Sequence, residues 1–148
     1  MMGYTGTPIG KLHNELFRAG GPHKFPYRYM DAKTVTDLLH SCGGVVVLAH
    51  PWQYKAEHVM EMMIEEHMLD GIELNHPRND EKTRDHITSL CKEHDLFMTG
   101  GTDFHGLYTK TPYPLGSFLC PEEGLERLML AGEQANKVFY ENHPEFKE

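Results

Sequence analysis

The sequence predicts an α/β fold in which about three to four parallel strands are joined by crossover helices. Apolar runs of strand length alternate along the chain with segments whose apolar residues recur at helical spacing. Alternation of this kind is typical of a parallel sheet, because each crossover helix returns the chain to the edge where the previous strand began. The length of 148 residues suits one small domain.

The helices are predicted from apolar spacing and from capping residues. Asp31 is a typical N-cap residue, and the apolar face that follows it has the spacing i, i+3, i+4 and i+7. That first face comprises Val35, Leu38, Leu39 and Cys42. Further helices are predicted at 11–18, 59–68 and 80–94. A last helix follows Pro121, and its apolar face comprises Leu125, Leu128 and Met129.

Four apolar runs are predicted as strands. VVVLAH at 45–50 is expected to be buried on both faces, as in a parallel sheet. GIELN at 71–75 and LFMTGG at 96–101 are the next two strands. LGSFLC at 115–120 follows a Pro-rich loop and is expected to form a short fourth strand.

The predicted elements divide the chain into three parts. Residues 1–31 are an irregular leader rich in Gly, Pro and aromatic side chains. Residues 32–140 carry the regular alternation of helices and strands, and residues 141–148 are a polar tail that we expect to fray.

Composition and charge exclude several classes of protein. Lys and Arg total 14 against 22 Asp and Glu, and the formal net charge of −8 argues against stable binding to duplex nucleic acid. No apolar run approaches the ~20 residues needed to span a bilayer, and the N-terminus lacks the apolar core of a signal peptide, so we expect a cytoplasmic protein. Cys42, Cys91 and Cys120 form no CxxC pair and are expected to be buried or half-buried free thiols.

Polar residues with metal-binding chemistry follow the predicted strands. His50 ends the first strand, His76 and Arg78 follow the second, and Asp103 and His105 follow the third. The functional site of α/β sheets and barrels lies beyond the carboxyl ends of the strands, so His50, Asp103 and His105 are expected to converge. Imidazole and carboxylate are ligands for zinc, manganese or iron.

Each of these residues also has a structural interpretation. His50 could be a hydrogen-bonded histidine at a strand end, and Asp103 could cap the loop that follows it. His76 and Arg78 could be solvated loop residues, which is the commoner situation for such positions. From the residue pattern alone, both interpretations of each residue stay open.

Two motifs and the segment between them resemble the PHP (polymerase and histidinol phosphatase) family of metal-dependent phosphoesterases. The motifs are AHP at 49–51 and GTDFHG at 101–106, and the intervening DGIELNHPRNDEKTRDHITSLCKEHDLFMTG is similar in order and spacing. The likeness covers roughly residues 14–130. It is nearest to the branch of the family that acts on nucleoside phosphates and short oligonucleotides.

The resemblance implies a distorted (β/α)7 barrel that binds divalent metal ions (Mn, Zn, Fe or Mg) and hydrolyses phosphate esters of nucleotides or other small molecules. It implies that His50, Asp103 and His105 are metal ligands, with Asp103 and His105 as the candidate catalytic residues. His76 and Arg78 are candidate contacts for a substrate phosphate, to which an arginine can donate two parallel hydrogen bonds. Metal ions in such sites lower the pKa of a bound water and screen the phosphate charge.

The chain lacks the early motifs of the family: an H-x-H strand, a D-H pair, a G-[VI]-E strand and a further His ligand. Only 49 residues precede His50, so we expect the chain to correspond to the C-terminal part of a PHP domain. Three ligands of a larger set hold one metal ion at best. The alternative interpretation is a non-catalytic half-domain that self-associates or binds a partner, because a half-barrel exposes strand edges and apolar surface.

Overall fold

The computed structural model describes residues 10–18, 20–24, 28–106 and 113–147 of the chain. The helices in this part are α1 (Lys11–Leu16), α2 (Ala32–Ser41), α3 (Glu57–Glu65), α4 (Glu81–Glu93) and α5 (Glu122–Asn142). The strands are β1 (Val47–Leu48), β2 (Gly71–Asn75) and β3 (Phe97–Gly100). Short 3-10 turns lie at Pro51–Tyr54 and Pro144–Phe146. None of the described helices is long and apolar enough to cross a membrane.

The three described strands form one parallel sheet in the order β1-β2-β3. Gly71 and Ile72 of β2 pair with β1 on one side and with β3 on the other. A bulge between Glu73 and Asn75 shifts the register, so that Asn75 pairs with Gly100. The parallel sheet and its helices confirm the predicted α/β class, whereas closure into a barrel stays a prediction.

The hydrophobic core unites α3, α4 and β2. Met60 of α3, Ile72 of β2, and Ile87 and Cys91 of α4 are almost completely buried. Full burial of large apolar side chains stabilises the fold by roughly 1.5–3 kcal/mol each. Burial also raises the pKa of the Cys91 thiol to about 11. This thiol is therefore protonated and unreactive at neutral pH.

Two aspartates begin helices by accepting hydrogen bonds from the first turn. Asp31 accepts from the Thr34 hydroxyl at 2.6 Å and the Thr34 amide at 2.9 Å, which confirms Asp31 as an N-cap. Asp80 caps α4 in the same way by accepting from the Thr83 amide at 2.8 Å. These hydrogen bonds hold the pKa of both carboxyls below the usual value. Both caps therefore contribute stability above the ordinary carboxyl range, and the contribution is lost as the pH falls through the lowered pKa.

The first strand is shorter than predicted and is half-buried rather than buried on both faces. On its N-terminal side, the Val46 amide donates to the Asp70 carboxylate at 2.6 Å, and the Val46 carbonyl accepts from the Asp70 amide at 2.9 Å. On its C-terminal side, His50 adopts a left-handed conformation with φ of 31°. An extended strand therefore forms only between these two interruptions.

The buried face of α2 also differs from the predicted one. Thr36 is the buried residue of this helix. His40 lies one turn later on the same side, and its Nε2 is 2.9 Å from Oδ2 of Asp70. This polar contact fixes the rotation of α2 about its axis. The predicted apolar face is therefore not the buried face of α2: Val35, Leu38 and Leu39 are exposed, and so is Cys42 just after the helix.

Helix α5 approaches β3 closely because Gly124 faces the strand. A Cβ at position 124 would collide with the carbonyl oxygen of Met98. One turn later, the Arg127 guanidinium donates to the carbonyls of Asp95 at 2.7 Å and Leu96 at 3.1 Å. Two residues of the predicted apolar face, Leu125 and Met129, are exposed. The contacts at positions 124 and 127 set the rotation of the helix and turn these two residues outward.

The predicted fourth strand is a turn, and the predicted tail is helical. Gly116 has a φ of +82°, and the Ser117 amide and hydroxyl both donate to the Pro114 carbonyl, at 3.1 and 2.7 Å. These bonds close a tight turn where LGSFLC was expected to be extended. At the C-terminus, α5 continues to Asn142 and a 3-10 turn follows it, with the Phe146 ring stacked on that of Phe139.

Replacement of Gly124 by alanine is expected to lower the free energy of unfolding by about 1–3 kcal/mol, the usual cost of overpacking a close contact. The added Cβ meets a backbone carbonyl, which cannot rotate away as a side chain can. Urea denaturation followed by circular dichroism measures the change.

Gly132→Ala is the matched control on the same helix, because a Cβ at that position meets open space. Because alanine has a higher helix propensity than glycine, this substitution is expected to stabilise the protein by about 0.5–1 kcal/mol. Equal effects of the two substitutions would contradict the close approach of α5 to β3.

Candidate metal and phosphoester site

Four polar side chains form a continuous group beyond the carboxyl ends of the three strands. The ring centroids of His50, after β1, and His76, after β2, are 5.3 Å apart. Nε2 of His76 is 3.7 Å from Oδ2 of Asp103, which follows β3. Nδ1 of His105 lies 3.6 Å from Oδ1 of the same carboxylate. The parallel sheet thus places the sequence-predicted residues at one edge, in the order of the strands.

His50 is held in a left-handed turn at the end of β1. Its φ and ψ are 31° and 56°, and Pro51 begins a 3-10 turn directly after it. Non-glycine residues rarely adopt this conformation because Cβ crowds the backbone. The backbone amide of His50 donates to Oε2 of Glu73 at 2.9 Å. The ring Nδ1 is buried and has no hydrogen-bond partner among the described residues.

Glu73 is the residue that the sequence analysis did not assign to the site. Besides accepting from the amide of His50, its carboxylate extends toward β3, where Oε1 would be 3.6 Å from a Cβ built on Gly101. Glu73 therefore lies between the ends of all three strands. A carboxylate in an otherwise apolar strand needs a partner when it is partly buried. The need for such a partner is the one feature of the sequence that indicates a role for Glu73.

His105 is oriented by its own loop. Its Nδ1 is 2.7 Å from the carbonyl oxygen of Asp103. Because a carbonyl oxygen can only accept, Nδ1 carries the proton and the lone pair of the neutral ring lies on Nε2. In a metal-binding histidine, the ring nitrogen that does not bind the metal commonly donates its hydrogen bond to a carbonyl, which fixes the orientation of the ring. The side chain is 66% exposed, which leaves the ring accessible to a ligand.

His76 and Arg78 differ in accessibility. Arg78 is exposed, whereas the His76 side chain is only 1% exposed. Nδ1 of His76 accepts a hydrogen bond from the Arg78 backbone amide at 3.2 Å. Nε2 of His76 is buried and has no hydrogen-bond partner in the described part of the chain. The role of both residues as phosphate contacts stays a prediction.

The residues at this edge suit a divalent metal in chemistry but do not yet enclose one. Imidazole nitrogens and a carboxylate are the donors that zinc, manganese and iron accept, and the buried Nδ1 of His50 lacks a partner among the described residues. Within residues 10–18, 20–24, 28–106 and 113–147, however, no three His, Cys, Asp or Glu side chains group closely enough to hold a metal ion. The described residues therefore form an incomplete donor set.

The chain is similar to known proteins over part of its length. No family model matches the chain. The chain is 32% identical to the phosphoribosyl 1,2-cyclic phosphate 1,2-diphosphodiesterase of Eggerthella lenta over 112 residues, which are 74% of this chain and 42% of that protein. It is 29% identical to the 5'-3' exoribonuclease Rnm of Escherichia coli over 84 residues, or 54% of this chain and 29% of that protein.

A solved structure is similar to this chain in fold. A Bifidobacterium adolescentis protein, provisionally described as a metal-dependent phosphoesterase, matches with a TM-score of 0.61 and 28% identity. The match covers 73% of this chain and 39% of that protein.

The sheet and the strand-end residues define a class of α/β proteins related to phosphoesterases. Within that class, these relatives confirm the resemblance to the PHP family that AHP and GTDFHG carry. It spans less than half the length of the curated relatives it matches.

Glu73→Ala is expected to lower the free energy of unfolding by about 1–3 kcal/mol, because the partly buried amide of His50 loses its acceptor. Glu73→Gln keeps a carbonyl oxygen at the same reach and is expected to lose less than half as much. Urea denaturation of both variants measures the difference. If both substitutions cost the same, the hydrogen bond to His50 does not explain the position of Glu73.

Proposed function

We propose that the chain is part of a metal-dependent phosphoesterase that hydrolyses phosphate esters of nucleotides or related small molecules. The observation that carries the proposal is the alignment of His50, Asp103 and His105 at one edge of a parallel sheet, with Nε2 of His105 left as its metal-binding nitrogen by the bond from Nδ1 to a carbonyl. Support comes from the relatives, whose names describe cleavage of a phosphoribosyl cyclic phosphate and of RNA.

The ligand roles follow from the chemistry of each side chain. His50 and His105 would each bind a divalent metal through a ring nitrogen, and Asp103 through its carboxylate. A bound divalent metal polarises a phosphoryl oxygen and lowers the pKa of water, which is the chemistry that phosphoester hydrolysis requires. Two imidazoles favour manganese, zinc or iron over magnesium, which prefers oxygen ligands.

Two further residues, Arg78 and Glu73, would bind the substrate and orient a metal ligand. Arg78 is exposed just beyond β2, where its guanidinium can donate two parallel hydrogen bonds to the oxygens of a substrate phosphate. Glu73 holds the turn at His50 through the amide hydrogen bond and so sets the direction of that ligand. The chain's part in the reaction is therefore to fix three donors and one phosphate-binding cation at the ends of three strands.

The purified chain is expected to bind one Mn²⁺ or Zn²⁺ ion, and His50→Ala and Asp103→Asn are each expected to weaken binding at least about tenfold. Isothermal titration calorimetry measures the affinity. His58→Ala is the matched control, because His58 is exposed on α3, and its affinity should equal that of the unmodified protein. Equal affinity in all four proteins would overturn the ligand assignment.

Turnover is tested with bis(4-nitrophenyl) phosphate, a diester, and 4-nitrophenyl phosphate, a monoester, in the presence of Mn²⁺. Hydrolysis that Asp103→Asn removes and His58→Ala retains would support the proposed function. Hydrolysis that survives Asp103→Asn would point to a contaminating enzyme and count against it.

Two observations favour a second function, a non-catalytic half-domain that self-associates or binds a partner. Within the described residues the donor set is incomplete, and α2 and α5 carry exposed apolar side chains. Metal binding without turnover, combined with a dimer in analytical ultracentrifugation, would favour this second function.

A further inference from the structure

We propose that His76 is a positioning residue that orients the carboxylate of Asp103 by donating a hydrogen bond from Nε2. The inference rests on the proposed function, in which Asp103 is a metal ligand. It assigns to His76 a supporting role in place of direct contact with substrate.

The tautomer of His76 follows from its hydrogen bond to the backbone. Nδ1 accepts from the amide of Arg78 at 3.2 Å. A nitrogen that accepts a hydrogen bond carries no proton, so in the neutral ring the proton lies on Nε2. Nε2 is thus a donor and has no lone pair with which to bind a metal. His76 and His105 consequently have opposite tautomers, one suited to donating toward a carboxylate and the other to binding a metal.

The Asp103 carboxylate lies close enough to Nε2 to become its acceptor. The His76 side chain is 1% exposed, and Nε2 has no hydrogen-bond partner among the described residues. A buried donor without a partner costs about 1–3 kcal/mol, which favours any small movement that pairs it. Oδ2 of Asp103 is 3.7 Å away, so a shift of about half an ångström creates a hydrogen bond.

The same geometry explains how the carboxylate is fixed. Oδ2 of Asp103 faces His76, and Oδ1 faces Nδ1 of His105 at 3.6 Å. Asp103 also has a left-handed φ of 49°, so its side chain leaves the backbone of a loop rather than of a regular strand. A donor that directly follows β2 therefore restrains a ligand whose own segment is irregular. Direct contact of His76 with a substrate phosphate is disfavoured, because the ring is almost completely enclosed.

Two substitutions separate the two nitrogens of the ring. In His76→Asn, the side-chain amide reaches only the position of Nδ1 and keeps the acceptor for the Arg78 amide. In His76→Gln, the longer side chain places an N–H donor near the position of Nε2. The positioning role predicts that His76→Asn weakens Mn²⁺ binding about tenfold or more, as for other groups that support metal ligands, whereas His76→Gln stays within about threefold of the unmodified protein.

Calorimetric titration of Mn²⁺ gives the affinities, and urea denaturation reports whether either variant is unfolded. Loss of affinity in His76→Asn with rescue by His76→Gln, at similar stability, supports the proposal. Unchanged affinity in His76→Asn overturns it.

Nuclear magnetic resonance provides a readout that needs neither metal nor activity. Long-range ¹H–¹⁵N correlation of the ring is expected to show Nε2 of His76 protonated and Nδ1 unprotonated, and the Nε2 signal is expected to shift in Asp103→Asn. Protonation at Nδ1, or an Nε2 signal that Asp103→Asn leaves unchanged, overturns the positioning role without bearing on the phosphoesterase proposal. If the unmodified chain binds no Mn²⁺, the proposed function fails, and the response of Nε2 to Asp103→Asn still decides the contact.

Discussion

The geometry of the candidate site depends on the pairing of β2 with a parallel strand on each side. Gly71 and Ile72 pair with both neighbours, and this shared register brings the ends of β1, β2 and β3 to one edge. Each polar residue of the site lies within a few positions of a strand end, so its location follows from that register. The bulge between Glu73 and Asn75 falls where the ladder gives way to the site, a frequent position for a bulge.

Polar contacts, rather than apolar ones, determine how the outer elements are oriented around this sheet. Asp70 accepts from the amide of Val46 and contacts His40, which fixes both the beginning of β1 and the rotation of α2. Arg127 donates to two backbone carbonyls and so fixes the rotation of α5. Because directional hydrogen bonds tolerate less displacement than apolar contacts, they select one rotation of each helix. The exposed apolar residues of α2 are a consequence of that selection.

Local signals in the sequence were enough to predict β2, α4 and the cap of α2. Asp31 accepts from Thr34, three positions away, and Ile87 and Cys91 lie one turn apart on one helix face. Contacts between distant residues could not be predicted in this way. Glu73 meets the amide of His50 across 23 positions, and His40 meets Asp70 across 30. The strand-end positions of His50 and Asp103 were predictable from sequence, whereas the burial of His76 required the fold.

The left-handed conformations of His50 and Asp103 have a consequence for how this protein can change over evolutionary time. A left-handed φ at a non-glycine residue costs of order 1–2 kcal/mol, and glycine is the usual substitution that relieves it. Here glycine would remove the imidazole of His50 or the carboxylate of Asp103, so the strain at both positions persists for as long as those groups are needed. Gains in stability must then arise in other parts of the chain. Among related chains, we expect this constraint to leave the residues at these two unfavourable positions unchanged while the positions around them vary.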